Sequence, residues 1–481
     1  MEKKVTAAFG WKFIERLSVQ GTNFLVTLLL ARLLTPSDYG VVSIVTIFIA
    51  LATTFAQGGL NTALIQRKDV SGDDYVTILG FSESVAALLY IVIFFSAPFI
   101  GRCYHAQELS GLLRVTAIVL FPVAFNSVQV AYVTRDLRFR VLTVSSFISA
   151  IIAAIVGIGM AIAGFGAWAL VAQQLVNQVS TCLVTYIILR WIPKGRFSLV
   201  SLKQLLPFGA KVFATNFIVA LFLDIRSLLI GQIYSSEALG FFNRGKQFPQ
   251  AIMESINGTI QTVLLPVYSQ KQDSVNSVTD MVSKTVRMTS LILFPMMVGL
   301  ASAAEPLVSL LLTDKWLECV PFLQIFAIGY LFQAIQLAII QAFKAIGDSG
   351  TPLKLEIIKK IVEVILLLVT IKRGVLLFAS SILLCSVISH VLNSVSAMRI
   401  LHYSIKRQIA DIIPATTFST LMAISVRITI RVVNGDLLRL AVGIGIGVAV
   451  YLLLCTVFRI PEMKLMKNAI TKSVLSRVMQ K

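Results

Sequence analysis

The sequence predicts an all-α polytopic membrane protein of about fourteen transmembrane helices, set out as two pseudo-symmetric six-helix lobes and a further C-terminal pair. Three observations carry that expectation. Of 481 residues, 57% are hydrophobic and only 14% are charged, against about 25% charged in an ordinary soluble chain. Nearly the whole length divides into apolar blocks of 20 or more residues, long enough to cross a hydrocarbon core. The two halves also repeat one another in register. A transmembrane β-barrel would show short alternating strands instead, and the sequence has none of that pattern.

Taken in order, the apolar blocks fall near 9–34, 40–66, 76–101, 110–134, 141–164, 166–190, 205–234, 238–267, 285–312, 320–343, 352–371, 374–398, 411–432 and 438–459. The connections are short, the longest polar gaps lying near 191–204 and 268–284, so no loop has room for a separate catalytic domain. The opening MEKK lacks a small-residue cleavage site, so no cleavable leader is expected. Alternate connections collect the cations: Arg67 and Lys68, Arg135 to Arg140, Arg190 to Lys203, Lys406 and Arg407, and the tail from Arg459. The other side has only Arg102, Lys315, Lys372, Arg373, Arg431 and Arg439. That asymmetry puts both termini in the cytoplasm. It also assigns much of the net charge of +19 to topology and lipid contact, and no nucleic-acid partner is needed.

The organisation expected is an N-terminal lobe at 1–190, a cytoplasmic linker at 191–204, a second lobe at 205–400, an additional helix pair at 401–459 and a basic cytoplasmic tail at 460–481. Five scattered cysteines form no Cys-x-x-Cys pair and three histidines no metal spacing. The Asn257 sequon lies inside a span and is discarded. There is no phosphate-binding loop, dinucleotide turn or nucleophile elbow, so no catalytic residue, metal or cofactor is expected.

The repeat aligns FGWKF at Phe9 with FGAKVF at Phe208, and LLTPSDYGVV with IYSSEALGFF at an offset of 200 residues. Gly40 meets Gly240, and Lys12 stands opposite Lys211. Both copies begin after an even number of spans, so the repeat is parallel, with its axis along the membrane normal.

Polar residues concentrate at the start of each lobe. On the first span Lys12, Arg16, Gln20, Asn23 and Thr27 recur at helical spacing. The second offers Gln57 and Asn61; the seventh Lys211, Asn216, Asp224 and Arg226; the eighth Arg244, Lys246, Gln247, Gln250, Glu254 and Asn257. A polar stripe on a membrane helix cannot face lipid, so these spans are expected to line a cavity. Asp224 and Arg226 stand about 200° apart on a helix and pair poorly with each other. Asp224 suits a salt bridge to Arg244, and Lys12 and Lys211 suit snorkelling to the interface. Asp224 and Glu254 are also candidates for ion coupling. The charges Arg32, Glu83, Arg114, Arg287, Glu305, Glu356, Lys359, Lys360, Glu363 and Arg427 are expected in packing pairs. Even so, the stripes carry more cations than acids, and the surplus calls for an anion; the arginine fork suits phosphate. Arg16 and Arg244 are the first candidates for it, followed by Lys12, Lys211, Arg226 and Lys246.

Four segments then carry a family resemblance: LLLARLLTPSDYGVVSI, QGGLNTALIQRKD, RDLRFR, and LDIRSLLIGQIYSSEALGFFNRGKQFPQ. They resemble the Wzx-type polysaccharide flippases, most of all the WzxC-like branch, within the multidrug/oligosaccharidyl-lipid/polysaccharide exporter superfamily, and the likeness covers essentially the whole chain. Ser236 departs from the pattern, standing where Pro36 has its proline. The resemblance implies the fold of that superfamily, including the multidrug exporters. It implies movement of undecaprenyl-pyrophosphate-linked oligosaccharide units across a bacterial inner membrane for O-antigen, capsule or exopolysaccharide synthesis, by alternating access of a cationic central cavity. The partners implied are the lipid-linked oligosaccharide, membrane lipids, and the polysaccharide polymerase and chain-length machinery. A multidrug exporter would be expected to offer acids to cationic drugs. A membrane polymerase or glycosyltransferase would need catalytic groups and a sizeable loop.

Overall fold

With no water to bind in hydrocarbon, backbone groups must pair within their own segment, and helices are the simplest solution. The computed structural model describes residues 21–462, apart from Asn23, Gly58, Lys68, Leu137, Gln272, Asp273 and Ser349. Every regular element among the described residues is a helix. They form two compact units, Met1–Gly240 and Phe241–Lys481.

The first unit contains α1 (Phe24–Leu33), α2 (Pro36–Gln57), α3 (Leu60–Gln66), α4 (Gly72–Cys103), α5 (Gln107–Thr116), α6 (Leu120–Arg135), α7 (Phe139–Ile162), α8 (Ala167–Leu189) and α9 (Leu199–Ile233). Helix α2 packs on α9, α4 and α6, while α7 lies along α8. Residues expected to open the second lobe therefore pack in the first unit, because α9 covers α2 and α3. Helix α10 (Ser236–Ser269) starts in this unit and continues into the next.

The second unit holds α11 (Val275–Ser302), α12 (Ala304–Leu312), α13 (Val320–Tyr330), α14 (Gln333–Ala345), α15 (Gly350–Thr370), α16 (Val375–Ile400), α17 (Ile405–Val432) and α18 (Asp436–Val457). Its core joins Phe294, Met297, Ile335 and Phe343 to Phe418 and Met422, so the C-terminal pair α17–α18 is seated on α11.

Ten helical segments among the described residues are long and apolar enough to cross a membrane. Three further long helices fall outside that number. Helix α8 carries Gln173, Gln174, Asn177 and Gln178, α10 carries its polar stripe, and α15 has five charges between Lys354 and Glu363. The expected first span lies largely outside the described residues. The span expected at 40–66 is two helices: Gly59 at φ +65° breaks it, a left-handed conformation that glycine adopts without strain. There α9 leaves no space for a side chain, since a Cβ on Gly59 would lie 2.5 Å from the Gly209 carbonyl.

Several residues of the family-like segments serve as stitching. Arg135 Nη1 donates to the carbonyl oxygens of Leu64, Ile65 and Arg67 at the end of α3, where a helix leaves acceptors unsatisfied and favours a cation. Arg67 donates to Asp74 (3.2 Å) and to Gln204 (2.9 Å), and Ser71 and Asp74 form a capping box at the start of α4. The linker is strapped to the same helix end: Arg196 N donates to Asp73 Oδ1 (2.8 Å) and Ser198 N to Thr77 Oγ1 (2.9 Å). Trp191 stacks on Tyr132 at 4.1 Å and meets Tyr75 edge-on.

Candidate functional site: a held arginine and an amide-lined cavity

Both copies of the repeat open on a hydroxyl cap. Thr35 and Asp38 cap α2 reciprocally, with Thr35 N donating to Asp38 Oδ2 at 2.8 Å and Asp38 N to Thr35 Oγ1 at 3.2 Å. Ala238 N donates to Ser235 Oγ at 3.0 Å to start α10. One turn later the helices meet: a Cβ on Gly40 would lie 1.6 Å from the Ser236 carbonyl oxygen, and one on Gly240 2.0 Å from that of Pro36. The equivalent glycines thus make equivalent contacts, although Ser236 replaces the proline at the first helical position.

Past that turn, α10 carries Arg244, buried to 4% exposure. Its guanidinium lies 5.0 Å from the ring centre of Trp316, itself fully buried, and Nη1 donates to Gln247 Oε1 at 2.6 Å. A stacked, hydrogen-bonded guanidinium is fixed in orientation at small entropic cost. The helix also approaches closely here: a Cβ on Gly245 would lie 2.8 Å from the Cys319 carbonyl. Farther along the stripe Gln250 Nε2 donates to Glu254 Oε1 at 2.6 Å, and Asn257 Oδ1 is shut off from solvent without a hydrogen-bond partner. Lys246 is half-buried one residue past Gly245.

On α9, Arg226 is 7% exposed and Ser227 2%. Asp224 is half-buried, and Lys211 and Asn216 are exposed. Lys12, Arg16, Gln20 and Asn23 lie outside the described residues.

Gln57 and Asn61 are brought together in a half-open cavity of about 300 Å³ between α2, α3, α6 and α8. Asn126, Gln174 and Gln178 complete its polar lining, and Ile49, Val119, Val123 and Val130 form an apolar wall. Sequence reasoning passed over those three amides and Trp316. The signal for the first group was present: Gln174 and Gln178 stand four apart on an uncharged span, the spacing of one helix face. Trp316 sits on a short 3-10 turn, where no periodicity points to a partner.

Residues 29–321 match the family described as polysaccharide biosynthesis protein. The chain belongs to that family. Within reach of the polysaccharide biosynthesis proteins, it is similar to the succinoglycan biosynthesis transport protein ExoT of Rhizobium meliloti (strain 1021), 23% identical over 329 residues, which cover 68% of this chain and 66% of ExoT. It is also similar to the lipopolysaccharide biosynthesis protein WzxC of Escherichia coli (strain K12), 21% identical over 341 residues, 70% of this chain and 68% of WzxC. The chain thus spans about two thirds of the length of these relatives. Among solved structures, the lipid II flippase MurJ matches with a TM-score of 0.74 at 16% identity, over 94% of this chain and 98% of that one. The expected resemblance is therefore found, with a fold like that of the lipid II flippase structure, in a multi-pass membrane protein of a polysaccharide biosynthesis family.

Proposed function

We propose that the protein is a flippase, carrying undecaprenyl-pyrophosphate-linked oligosaccharide units from the cytoplasmic to the periplasmic leaflet of a bacterial inner membrane for O-antigen, capsule or exopolysaccharide synthesis. The observation that carries this reading is Arg244, a buried arginine held on Trp316 and Gln247 along the polar stripe of α10. An intramembrane cation marks a substrate path by default, and a preset guanidinium fork matches a pyrophosphate oxygen pair. Arg226, Lys211 and Lys246 add positive charge on α9 and α10, and Arg16 and Lys12 add it on the first span. Asn216, Gln247, Gln250 and Asn257 offer hydrogen bonds to the sugars. No bond is made or broken: the protein lowers the barrier for a polar headgroup to cross hydrocarbon, and it is not an enzyme. The names of ExoT and MurJ, one a transport protein and the other a lipid II flippase, support the same reading. Both termini lie in the cytoplasm on the charge asymmetry.

The test is chemical. A strain lacking the gene should accumulate lipid-linked oligosaccharide, identified by mass spectrometry, and the wild-type gene should clear it. Arg244→Ala, at equal level in the membrane, should leave it accumulated. Clearance by Arg244→Ala removes the arginine from the mechanism, and no accumulation in the deletion strain removes the function.

A further inference from the structure

The cavity between α2, α3, α6 and α8 differs chemically from the cationic stripes, because none of its lining residues among those described is charged. Thr53 and Ser127 turn their hydroxyls onto backbone carbonyls of their own helices, donating to Ala50 and Ala124. What remains for a ligand is amide: Gln57, Asn126 and Gln178 carry donor and acceptor on one group, and Asn61 and Gln174 add their NH2 donors, their oxygens accepting from Thr62 N (2.8 Å) and Thr46 Oγ1 (3.5 Å). Asn126 Oδ1 is shut off from solvent and has no hydrogen-bond partner, on a helix that belongs to a membrane span. A buried acceptor left unmade lowers stability, and a turn of the Asn126 side chain toward the cavity would bring it to a ligand's donor. Val119, Val123 and Val130 add aliphatic surface to the lining, the last two on the same face of α6 as Asn126.

We infer that this cavity is a subsite for an uncharged sugar of the transported glycan. This inference rests on the flippase reading above and names the sugar class that reading leaves open. Sugar hydroxyls both donate and accept, which is the pattern amides complement. A pyranose also presents a C–H face, and an aliphatic wall accepts one without leaving a polar group unpaired. A uronate or phosphate sugar is disfavoured, because its charge would lose its hydration with no cation among the described lining residues to replace it. At about 300 Å³ the cavity has the size of a small ligand pocket.

The experiment measures binding of three lipids to the full-length protein in nanodiscs: undecaprenyl pyrophosphate, the same lipid bearing cellobiose, and the same disaccharide with its terminal glucose oxidised to the uronate. Wild type should bind the cellobiosyl lipid about tenfold tighter than the bare one, as one or two net hydrogen bonds would give. The uronate should show none of that gain. Asn126→Leu with Gln178→Leu should bind the bare lipid as wild type does and lose the gain. Asn126→Ala, which opens rather than fills the site, should lose part of it. A gain that survives in both variants, an equal gain for the uronate, or no gain in wild type overturns the subsite and leaves the flippase reading standing. Failure of wild type to bind any of the three lipids overturns the flippase reading and the subsite with it.

Discussion

At Gly40 and Gly240 the obstacle to any side chain is backbone, the carbonyl oxygens of Ser236 and Pro36. Backbone at a helix start cannot swing aside as a flexible side chain would, so even a methyl group forces the two segments apart. Gly40→Ala and Gly240→Ala should each lower stability by about 3 kcal/mol, the upper part of the range for overpacking. Detergent-solubilised protein should lose its thermal transition or show it at a clearly lower temperature. Gly159→Ala, a site with nothing within 4 Å, is the control and should leave the transition in place. A wild-type transition in Gly40→Ala would show that the approach relaxes freely. The sequence aligned these glycines through the repeat, yet offered no reason for them: periodicity reports which positions correspond, and contact is a property of the folded backbone. Arg135 teaches the same lesson. Its charge was readable as a cytoplasmic marker, but its three carbonyl acceptors on α3 were not, because side chain-to-backbone bonds across 68 to 71 residues leave no local pattern.

Between α11 and α17 lies a buried polar cluster centred on Asp411, which is 9% exposed. Its Oδ2 accepts from Ser283 Oγ (2.5 Å) and Tyr403 Oη (2.6 Å), and Arg287 Nε lies 3.4 Å from Oδ1. Arg287 Nη1 reaches Glu462, just past α18, at 3.3 Å. Gln408 Nε2 donates to the carbonyl oxygens of Ser394 and Tyr403, and Thr279 Oγ1 to that of Leu401, closing the turn from α16 into α17. Asp411→Ala strands Ser283, Tyr403 and a cation together. It should cost about 3–5 kcal/mol, as removal of one partner of a buried pair does. Arg287→Ala should cost less, since Arg287 is one-third exposed and water can replace it. Thermal unfolding of both variants in detergent checks the order, and equal losses would reject Asp411 as the hub. Arg287 was legible as a packing charge from its place in an apolar span, but its partners, more than a hundred residues away, were not.

Across the whole chain, hydropathy carried the all-helical membrane class, because immersion in lipid penalises every unpaired backbone group and leaves helices as the answer. Span boundaries were less legible wherever function or packing puts polarity inside a helix: α8 with its amides, α10 with its stripe, α15 with its charges. The cationic stripes were visible at helical spacing, whereas the cavity needed three separate helices to be brought beside α2. Orientation rests on charge counting, which a reporter can check directly. An enzyme reporter active only in the periplasm should be silent when fused after Lys194 and active when fused after Arg373. The reverse pattern would invert the topology and with it the direction of transport.

The approach of Gly40 and Gly240 has the form of an isologous contact, in which one segment's glycine receives the other's carbonyl and returns the same. Such a surface is complementary to itself. A half-length ancestor bearing one copy would meet its match only by collision with a second molecule, at a rate set by how much protein the membrane held. Joining two copies in one polypeptide replaces that dependence with a fixed local concentration. It also frees the copies to diverge, so that Asp38 closes a capping box at one start while Ser235 alone caps the other.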